Sequence, residues 1–364
     1  MPQVILISQV PLPYSKIGSW TTLYHNYLSN NHKVDYIICE KPERLYPEIQ
    51  YQLVSDTFEL KIQKKISKNP YLGYFKALAK ILEKEDKFII QIVDNFGIVK
   101  PLIEFLEKNG KRKQCFLQFF YHGFPPFYEN FTGRWFFENI DEMVLLTHDS
   151  YKVHKEYYTI LPTKFSVLHN GIDTSKFHKI SIEEKAILKT KLNITSKKVF
   201  VWCSQDRPKK GLEIILNVWK TIYTQDKDIS LLIIGANRDV KIDGVSFLGK
   251  IPNDDLPQYY QIADCYLFST LCHEGFGMSL IEALHCGCYC IASANGGVPE
   301  VLQYGKLGKL IEKPNFIEDW IEAIQEFLYQ DGHNNFTIPE NLYSMQNWNK
   351  TMNTIIENAK KSLS

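Results

Sequence analysis

Two doubly wound α/β units in succession are the fold this sequence predicts. Three observations carry that expectation. Short apolar runs rich in Val, Ile and Phe alternate with longer amphipathic segments. The runs are too short for buried helices and apolar enough to be covered on both faces, as strands of a parallel sheet are. The pattern then stops near residue 180 and starts again near 199.

In the first half, strands are expected at 3–10, 33–40, 88–96, 114–122, 143–148 and 165–172. Segments such as WTTLYHNYLSN and YLGYFKALAKILEKE supply covering helices. Strand–helix–strand repetition means a parallel sheet with right-handed crossovers. The polar stretch 180–198 reads as the boundary, placed near 178–196. Strands at 199–204, 231–236, 245–250, 265–270 and 289–294 then build a second sheet. The expected division is 1–178, 179–345 and a closing amphipathic helix, 346–364, packed back on the first domain. Open sheets of this kind bind ligands at the carboxyl ends of their strands, so two facing units are expected to form a cleft.

The 364 residues carry 42 Lys plus Arg against 41 Asp plus Glu, a formal net charge of +1. Such a balance supplies no global field for nucleic acid, and any anionic ligand must be caught locally. No run approaches the ~18 apolar residues of a membrane span. The opening MPQVILISQVPLPY has no charged segment before its apolar run, so no signal peptide and a cytoplasmic location are expected. The cysteines are Cys39, Cys115, Cys203, Cys265, Cys272, Cys286, Cys288 and Cys290. Most lie in apolar runs and read as reduced, buried thiols. Cys286, Cys288 and Cys290 alternate as if on one strand face, without the loop spacing of a metal site. The segment 61–87 gathers Lys61, Lys64, Lys65 and Lys68 near Tyr71, Tyr74 and Phe75. It fits either a peripheral contact with anionic lipid at the inner membrane surface or a solvated helix face. Glu83, Glu85 and Asp86 dilute the charge in favour of the second.

The chemistry concentrates between Asp264 and Gly308. A strand, CYLFST, runs into a loop with Glu274, Gly275 and Gly277, and a helix starts near Met278 or Ser279. The glycines permit close backbone approach, and the new helix offers unpaired N–H groups suited to phosphate oxygens. Glu274 and Glu282 bracket that start. Acids beside a phosphate repel it, so they more naturally accept hydrogen bonds from sugar hydroxyls. The bland reading of each acid alone is a surface charge. A second loop, ASANGGVPEV, repeats the theme with Gly296, Gly297 and an early-helix Pro299.

The ordered set E-G-F-G-M-S-L-I-E, A-L-H-C-G and S-A-N-G-G-V-P-E resembles the retaining glycosyltransferases of family 4, in the GT-B superfamily. H-N-G-I-D-T-S-K-F (169–177), K-K-G-L (209–212) and V-S-F-L-G-K-I-P-N-D-D-L-P-Q-Y-Y-Q-I-A-D are similar to further family elements and stand in the same order. The resemblance covers about 120–310 by motif and the remainder by architecture. It implies a GT-B fold, two Rossmann-like domains across a cleft, and transfer of a hexosyl unit from a nucleoside diphosphate sugar to an acceptor hydroxyl. The family's commonest acceptors are glycolipids and growing cell-surface polysaccharides.

By the same resemblance, Glu282 would hold the ribose hydroxyls and Glu274 those of the donor sugar. Gly277, Met278 and Ser279 would contribute backbone contacts, and Lys210 would neutralise the leaving diphosphate. His122, in FFYHGF, would lie near the donor sugar, and Gly18 would let backbone approach the phosphate or acceptor. The bland reading of His122 is a satisfied core histidine; Gly123 and Pro125 place it in a loop mouth instead. His148 and His169 read as structural. The chain departs from the family where an arginine usually ends the strand before K-G. Cys203 and Ser204 stand there, and Arg207 is the candidate substitute, a solvated arginine being the plain alternative.

No Asp-x-Asp signature accompanies the diphosphate loop, so no metal or other cofactor is expected. Retention is implied by the family only, with same-face attack and the leaving phosphate taking the acceptor proton. Domain closure would exclude water. Three rival readings remain: a nucleotide-sugar epimerase on this fold, a glycan phosphorylase, and a catalytically silent sugar-binding protein. The phosphorylase lacks an arguable pyridoxal-phosphate lysine. A dinucleotide-dependent dehydrogenase is disfavoured because no G-x-G-x-x-G follows the first strand.

Overall fold

Parallel strands cannot be joined by tight hairpins, so each must be reached by a crossover. The computed structural model describes residues 1–14, 18–30, 32–55, 57–84, 86–124, 130–157, 161, 164–329 and 338–363, with backbone alone at 19 and 130–132. The chain divides into one unit of residues 1–171 plus 345–364 and another of residues 172–344. The division falls earlier than the 178 expected from the sequence.

The first unit contains β1 (Gln3–Ile7), β2 (Tyr36–Glu40), β3 (Gln50–Val54), β4 (Phe88–Val93), β5 (Cys115–Tyr121), β6 (Glu142–Leu145) and β7 (Lys164–Val167). They form one seven-stranded sheet in the order β3-β2-β1-β4-β5-β6-β7, every pair parallel. The order doubles back at β1, which marks the sheet as doubly wound. Its helices are α1 (Ser19–Leu28), α2 (Phe58–Ser67), α3 (Leu72–Leu82), α4 (Phe96–Lys108), α5 (Asn130–Asn139) and α6 (His148–Tyr157). The central strands β4 and β5 are buried at every position. Alternate residues feed separate cores on the two faces: Ile5 and Ile7 enter one, Val4 and Leu6 the other. Polar β3, QYQLV, is an edge strand with most side chains exposed or half-buried. Its lack of an apolar run explains why pattern reading passes over it.

One polar row crosses this buried sheet. Gln91, Gln118 and Glu142 are register partners on β4, β5 and β6. Gln91 Nε2 donates to Gln118 Oε1 at 2.9 Å, and Gln118 Nε2 donates to Glu142 Oε2 at 2.7 Å. Lys164 and Ser166 on β7 reach Glu142 Oε1. A buried carboxylate is tolerable only with such partners.

The second unit contains α7 (Ile182–Lys191), β8 (Lys198–Cys203), α8 (Leu212–Gln225), β9 (Ile229–Ile234), β10 (Val245–Gly249), α9 (Leu256–Ile262) and β11 (Cys265–Phe268). It continues through α10 (Met278–His285), β12 (Tyr289–Ser293), α11 (Val298–Val301), β13 (Gly308–Ile311) and α12 (Ile317–Tyr329). Its six-stranded parallel sheet has the order β10-β9-β8-β11-β12-β13. The switch point lies between β8 and β11, so the loops after those two strands are the expected ligand platform. Trp202, Trp219 and Trp320 are fully buried in the core on one face of this sheet.

Two expectations are corrected. The polar stretch 180–198, read as the boundary, lies inside the second unit and contains α7. Ser181 and Glu184 cap that helix reciprocally, and Lys185 Nζ reaches Asp264 at 2.8 Å and the Ala263 carbonyl at 3.1 Å. The helix escaped pattern reading because it has no apolar stripe, with Ile182 and Ile187 both exposed. Cys286 caps the end of α10 and Cys288 stands just before β12, which begins at Tyr289, so of the three cysteines Cys290 alone is on the strand. All three thiols are free and buried, and Cys288 Sγ donates to the Tyr260 carbonyl at 3.1 Å.

The last helix, α13 (Met345–Ser362), belongs to the first unit. Trp348, Met352, Ile355, Ile356 and Ala359 form its buried stripe at helical spacing. Trp348 meets Tyr24 and Tyr27 edge-on at ring distances of 5.7 and 5.5 Å. Tyr27 Oη also bonds Asn353 Oδ1 at 2.5 Å. Among the described residues no helix is long and apolar enough to cross a membrane. Trp348→Ala is expected to lower stability by about 3–5 kcal/mol, read as a shift in the urea midpoint. An unchanged midpoint would show that α13 does not anchor the first unit.

Candidate active site

In the second unit, two loops at the carboxyl ends of adjacent strands are locked together backbone to backbone. After β8 the chain makes a 3-10 turn, Pro208–Lys210, and enters α8 through Gly211 at φ 71°. A Cβ on Gly211 would lie 2.0 Å from the Ser269 carbonyl oxygen, so only glycine fits beneath the loop after β11. Ser269 Oγ bonds the Lys210 and Gly211 carbonyls at 3.0 and 3.1 Å and accepts from Trp202 Nε1 at 3.0 Å. The Leu271 N–H donates to the Lys209 carbonyl at 2.8 Å. The turn carrying Lys210 is thereby held against the loop carrying Glu274.

The result is a direct ion pair. Lys210 Nζ lies 2.6 Å from Glu274 Oε2, both side chains about four-fifths shielded from solvent. The acidic loop is fixed from its other side by the glycines of A-N-G-G. Glu274 and Gly296 form a parallel bridge, and the Gly297 N–H donates to the Glu274 carbonyl at 2.8 Å. Gly296 has φ +68°, and a Cβ there would fall 2.3 Å from the Glu274 carbonyl oxygen. Asn295 Nδ2 adds a bond to the Thr270 carbonyl at 3.0 Å.

Gly277 turns the loop into α10 at φ 92° and ψ 72°, with no side chain capping the helix. Met278 and Ser279 occupy the first turn, where N–H groups lack intrahelical acceptors. Ser279 Oγ accepts from Tyr266 Oη at 2.8 Å, and the same phenol reaches the Cys203 carbonyl at 3.1 Å. One buried tyrosine therefore ties the end of β8 to the start of α10. Glu282 sits one turn on, half-buried. Burial pushes its carboxyl up to about 8, against the opposing pull of Lys176. Lys176 is itself paired with Asp254 at 2.8 Å. The two candidate acids thus have different settings: Glu274 is ion-paired and Glu282 is desolvated.

Arg207 is exposed ahead of the 3-10 turn, and its carbonyl accepts from the Lys210 N–H at 2.8 Å. A second arginine, which pattern reading missed, braces this loop. Arg238 holds Asp206 through both carboxylate oxygens at 2.8 and 2.7 Å and also bonds Glu213 on α8. Those carboxylates raise its already high pKa further, the Asp206 hydrogen bond being the largest cause. Arg238 lies 32 residues from Asp206 and 25 from Glu213, and the three carry no motif.

His122 and Gly18 lie in the first unit. The His122 N–H donates to Asp94 Oδ1 at 2.8 Å, and its ring Nδ1 lies 3.1 Å from Asp94 Oδ2. Asp94 closes β4 at φ 52°, a conformation that Asp tolerates better than most residues. Asp94 thus orients the histidine from the neighbouring strand end. Its only trace in the sequence is the D-N pair after an apolar run. Gly18 is the extended residue before α1, and its carbonyl accepts from Thr21 Oγ1 at 3.0 Å and Thr22 Oγ1 at 2.8 Å. The glycine is explained locally, since a Cβ would lie 2.6 Å from Thr21 Oγ1. His148 and His169 meet edge to face at 5.9 Å. Pro125 and Glu85 lie outside the described residues.

The family model for Glycosyl transferases group 1 matches residues 184–362. That match covers just under half of the chain, and the two parallel-sheet Rossmann-like units have the GT-B fold. The chain is similar to N-acetyl-alpha-D-glucosaminyl L-malate synthase of Bacillus anthracis, 25% identical over 86% of this chain and 85% of the relative. It also resembles a GDP-mannose-dependent monoacylated alpha-(1-6)-phosphatidylinositol monomannoside mannosyltransferase of Corynebacterium glutamicum, 27% identical over 45% of this chain and 47% of that one. In fold it is similar to a glycosyltransferase from Rickettsia africae, with TM-score 0.75, 17% identity and 99% of each chain covered. Anabaena Alr3699/HepE in complex with UDP-glucose aligns with TM-score 0.67 and 14% identity, over 98% of this chain and 99% of that one.

The raised Glu282 carboxyl has a consequence for stability. Between about 4.5 and about 8 the folded chain keeps a proton that the unfolded chain has released. The native state therefore loses stability as pH rises through that window. Glu282→Gln, which does not titrate, is expected to gain stability relative to the native chain as pH rises from about 5 to about 9. Urea unfolding at several pH values measures this, and a difference constant with pH would contradict it.

Proposed function

We propose that this glycosyltransferase moves a hexosyl unit from a nucleoside diphosphate sugar to an acceptor hydroxyl, with retention of configuration, as a member of family 4. The observation that carries the reading is the Lys210–Glu274 pair, 2.6 Å apart, beside the uncapped start of α10. A cation, open N–H groups and a sugar-reading carboxylate in one place fit a diphosphate joined to a hexose. The UDP-glucose complex named for the Anabaena structure supports a nucleotide sugar as donor.

In this reading the bond from the anomeric carbon to the diphosphate oxygen breaks with oxocarbenium character. Negative charge grows on the leaving diphosphate, and Lys210 with the first N–H groups of α10 stabilises it without reorganisation. Glu274 exchanges its bond with Lys210 for bonds from donor-sugar hydroxyls, freeing the ammonium for phosphate. The acceptor oxygen bonds to the same face of the anomeric carbon, and its proton passes to the leaving phosphate oxygen. Glu282 accepts from the ribose hydroxyls. His122, oriented by Asp94, contacts the donor sugar. Arg207 is a supplementary cation for the diphosphate, whereas Arg238 is already committed to two carboxylates.

The acceptor is proposed to be a glycolipid or a growing cell-surface polysaccharide, a reading supported by the phosphatidylinositol-mannoside transferases among its relatives. A cytoplasmic location is proposed with it. No observation favours an epimerase.

A thermal-shift series with UDP-, GDP- and ADP-sugars tests the donor, since a ligand of the native state raises the melting temperature. At least one is expected to raise it. Glu282→Ala should weaken that shift, while Lys210→Ala should lower kcat by about a hundredfold with a smaller change in donor affinity. No shift with any nucleotide sugar, or native turnover in both variants, would remove the site assignment. The reaction is also proposed to need no metal, because Lys210 can do the work of a divalent cation at the diphosphate. Activity should survive EDTA; its loss and return with Mg²⁺ would refute this.

A further inference from the structure

One phenol stands between the two elements offered to the diphosphate. Tyr266 lies within β11, with Val201 of β8 and Cys290 of β12 as register partners. Its side chain is fully buried, edge to face with Tyr260 at 5.7 Å and tilted against Phe268 at 6.2 Å. Strands on both sides and rings around it therefore fix its position. Its oxygen reaches the Cys203 carbonyl at 3.1 Å and Ser279 Oγ at 2.8 Å. Cys203 ends β8, ahead of the turn that carries Lys210, and Ser279 follows Met278 in the first turn of α10.

A phenol has one proton to give, and burial keeps it on the oxygen by raising the group well above its usual range. The two neighbours differ in what they can do with it. A carbonyl only accepts, whereas a serine hydroxyl gives or takes. The shorter bond runs to Ser279, with the phenol as donor. That bond occupies one lone pair of Ser279 Oγ and leaves the serine's own proton for an acceptor on the open side, where the residue is only half-buried. The backbone beside it is in the same condition. The N–H groups of Leu280 and Ile281 turn back to the Gly277 carbonyl at 3.1 and 3.3 Å, while those of Met278 and Ser279 find no acceptor among the described residues.

We propose that Tyr266 is a positioning residue for the diphosphate: it aims the Ser279 hydroxyl so that this hydroxyl, and not the backbone alone, donates to a phosphate oxygen at the start of α10. The inference rests on the nucleoside diphosphate reading given above. The arrangement favours a ligand atom that only accepts, and a phosphate oxygen is such an atom. Without the phenol the Ser279 proton has no enforced direction, and part of the donor strength offered to phosphate is lost.

The test is titration calorimetry of the full chain with UDP, GDP and ADP, with no acceptor present. At least one is expected to bind. For that nucleotide, Tyr266→Phe and Ser279→Ala should each weaken binding by about tenfold, the size of one lost hydrogen bond to a charged group. Tyr266→Phe in the Ser279→Ala background should cost nothing further, because the phenol acts only through that hydroxyl. Ser279→Thr, which restores a hydroxyl, should bind close to the native value. A tyrosine that merely held the fold together would weaken binding equally in both backgrounds. Native binding that Tyr266→Phe or Ser279→Ala leaves unchanged, or losses that multiply in the double variant, overturns the proposal and leaves the donor reading standing. Binding of none of the three nucleotides overturns both. A crystal of the native chain with the bound nucleotide decides the matter even if Tyr266→Phe fails to fold. Ser279 Oγ is expected about 2.7 Å from a phosphate oxygen and still bonded to Tyr266 Oη; a Ser279 hydroxyl out of reach of every phosphate oxygen overturns the proposal.

Discussion

Two glycines without side chains hold the second unit's site in place. Gly211 lets the turn bearing Lys210 slide under the Ser269 carbonyl, and Gly296 lets the A-N-G-G loop close onto the backbone of Glu274. Both have positive φ, and at both a Cβ would sit within about 2.3 Å of backbone oxygen. Because the contacts are backbone to backbone, no rotamer change can relieve an added side chain. The spacing between Lys210 and Glu274 depends on these two approaches. Ser269 and Asn295 supply the hydrogen bonds that keep the loops from parting.

The electrostatics divide the site into two kinds of acid. Glu274 already has a cation at 2.6 Å. Glu282 is a desolvated carboxyl whose burial favours the protonated form. Around them stand groups that never meet the ligand in this reading. Tyr266 joins Ser279 to the end of β8, and Arg238 clamps Asp206 and Glu213 beside the Lys210 turn. The functional loops are short and polar, and these partners make them definite in shape.

In the first unit the same logic is carried by one aspartate. Asp94 commits both carboxylate oxygens to His122, one to its backbone and one to its ring. The strands beneath are apolar and buried, yet Gln91, Gln118 and Glu142 run across them as a hydrogen-bonded row. Such a row discriminates against slipped strand registers. α2 stands apart from this core, attached chiefly through Leu60.

Much of the architecture was legible because it depends on local pattern. Apolar runs located eleven of the described strands, and helical periodicity located α1, α3 and α13. The strands β3 and β13 and the helix α7 lack an apolar signature, since each is placed by its neighbours or by capping rather than by burial. Within the site, Glu274, Gly277, Glu282 and Lys210 could be singled out from glycine spacing and a shared ordering of motifs. Asp94, Arg238, Tyr266 and Ser269 could not, because each acts on a residue far along the chain and no spacing rule connects them. The sequence alone thus determined which elements form and which polar residues cluster at strand ends, through periodicity and backbone freedom. Only the tertiary structure decided which charges pair and which carboxyl is desolvated, because those follow from distances that chain order does not contain.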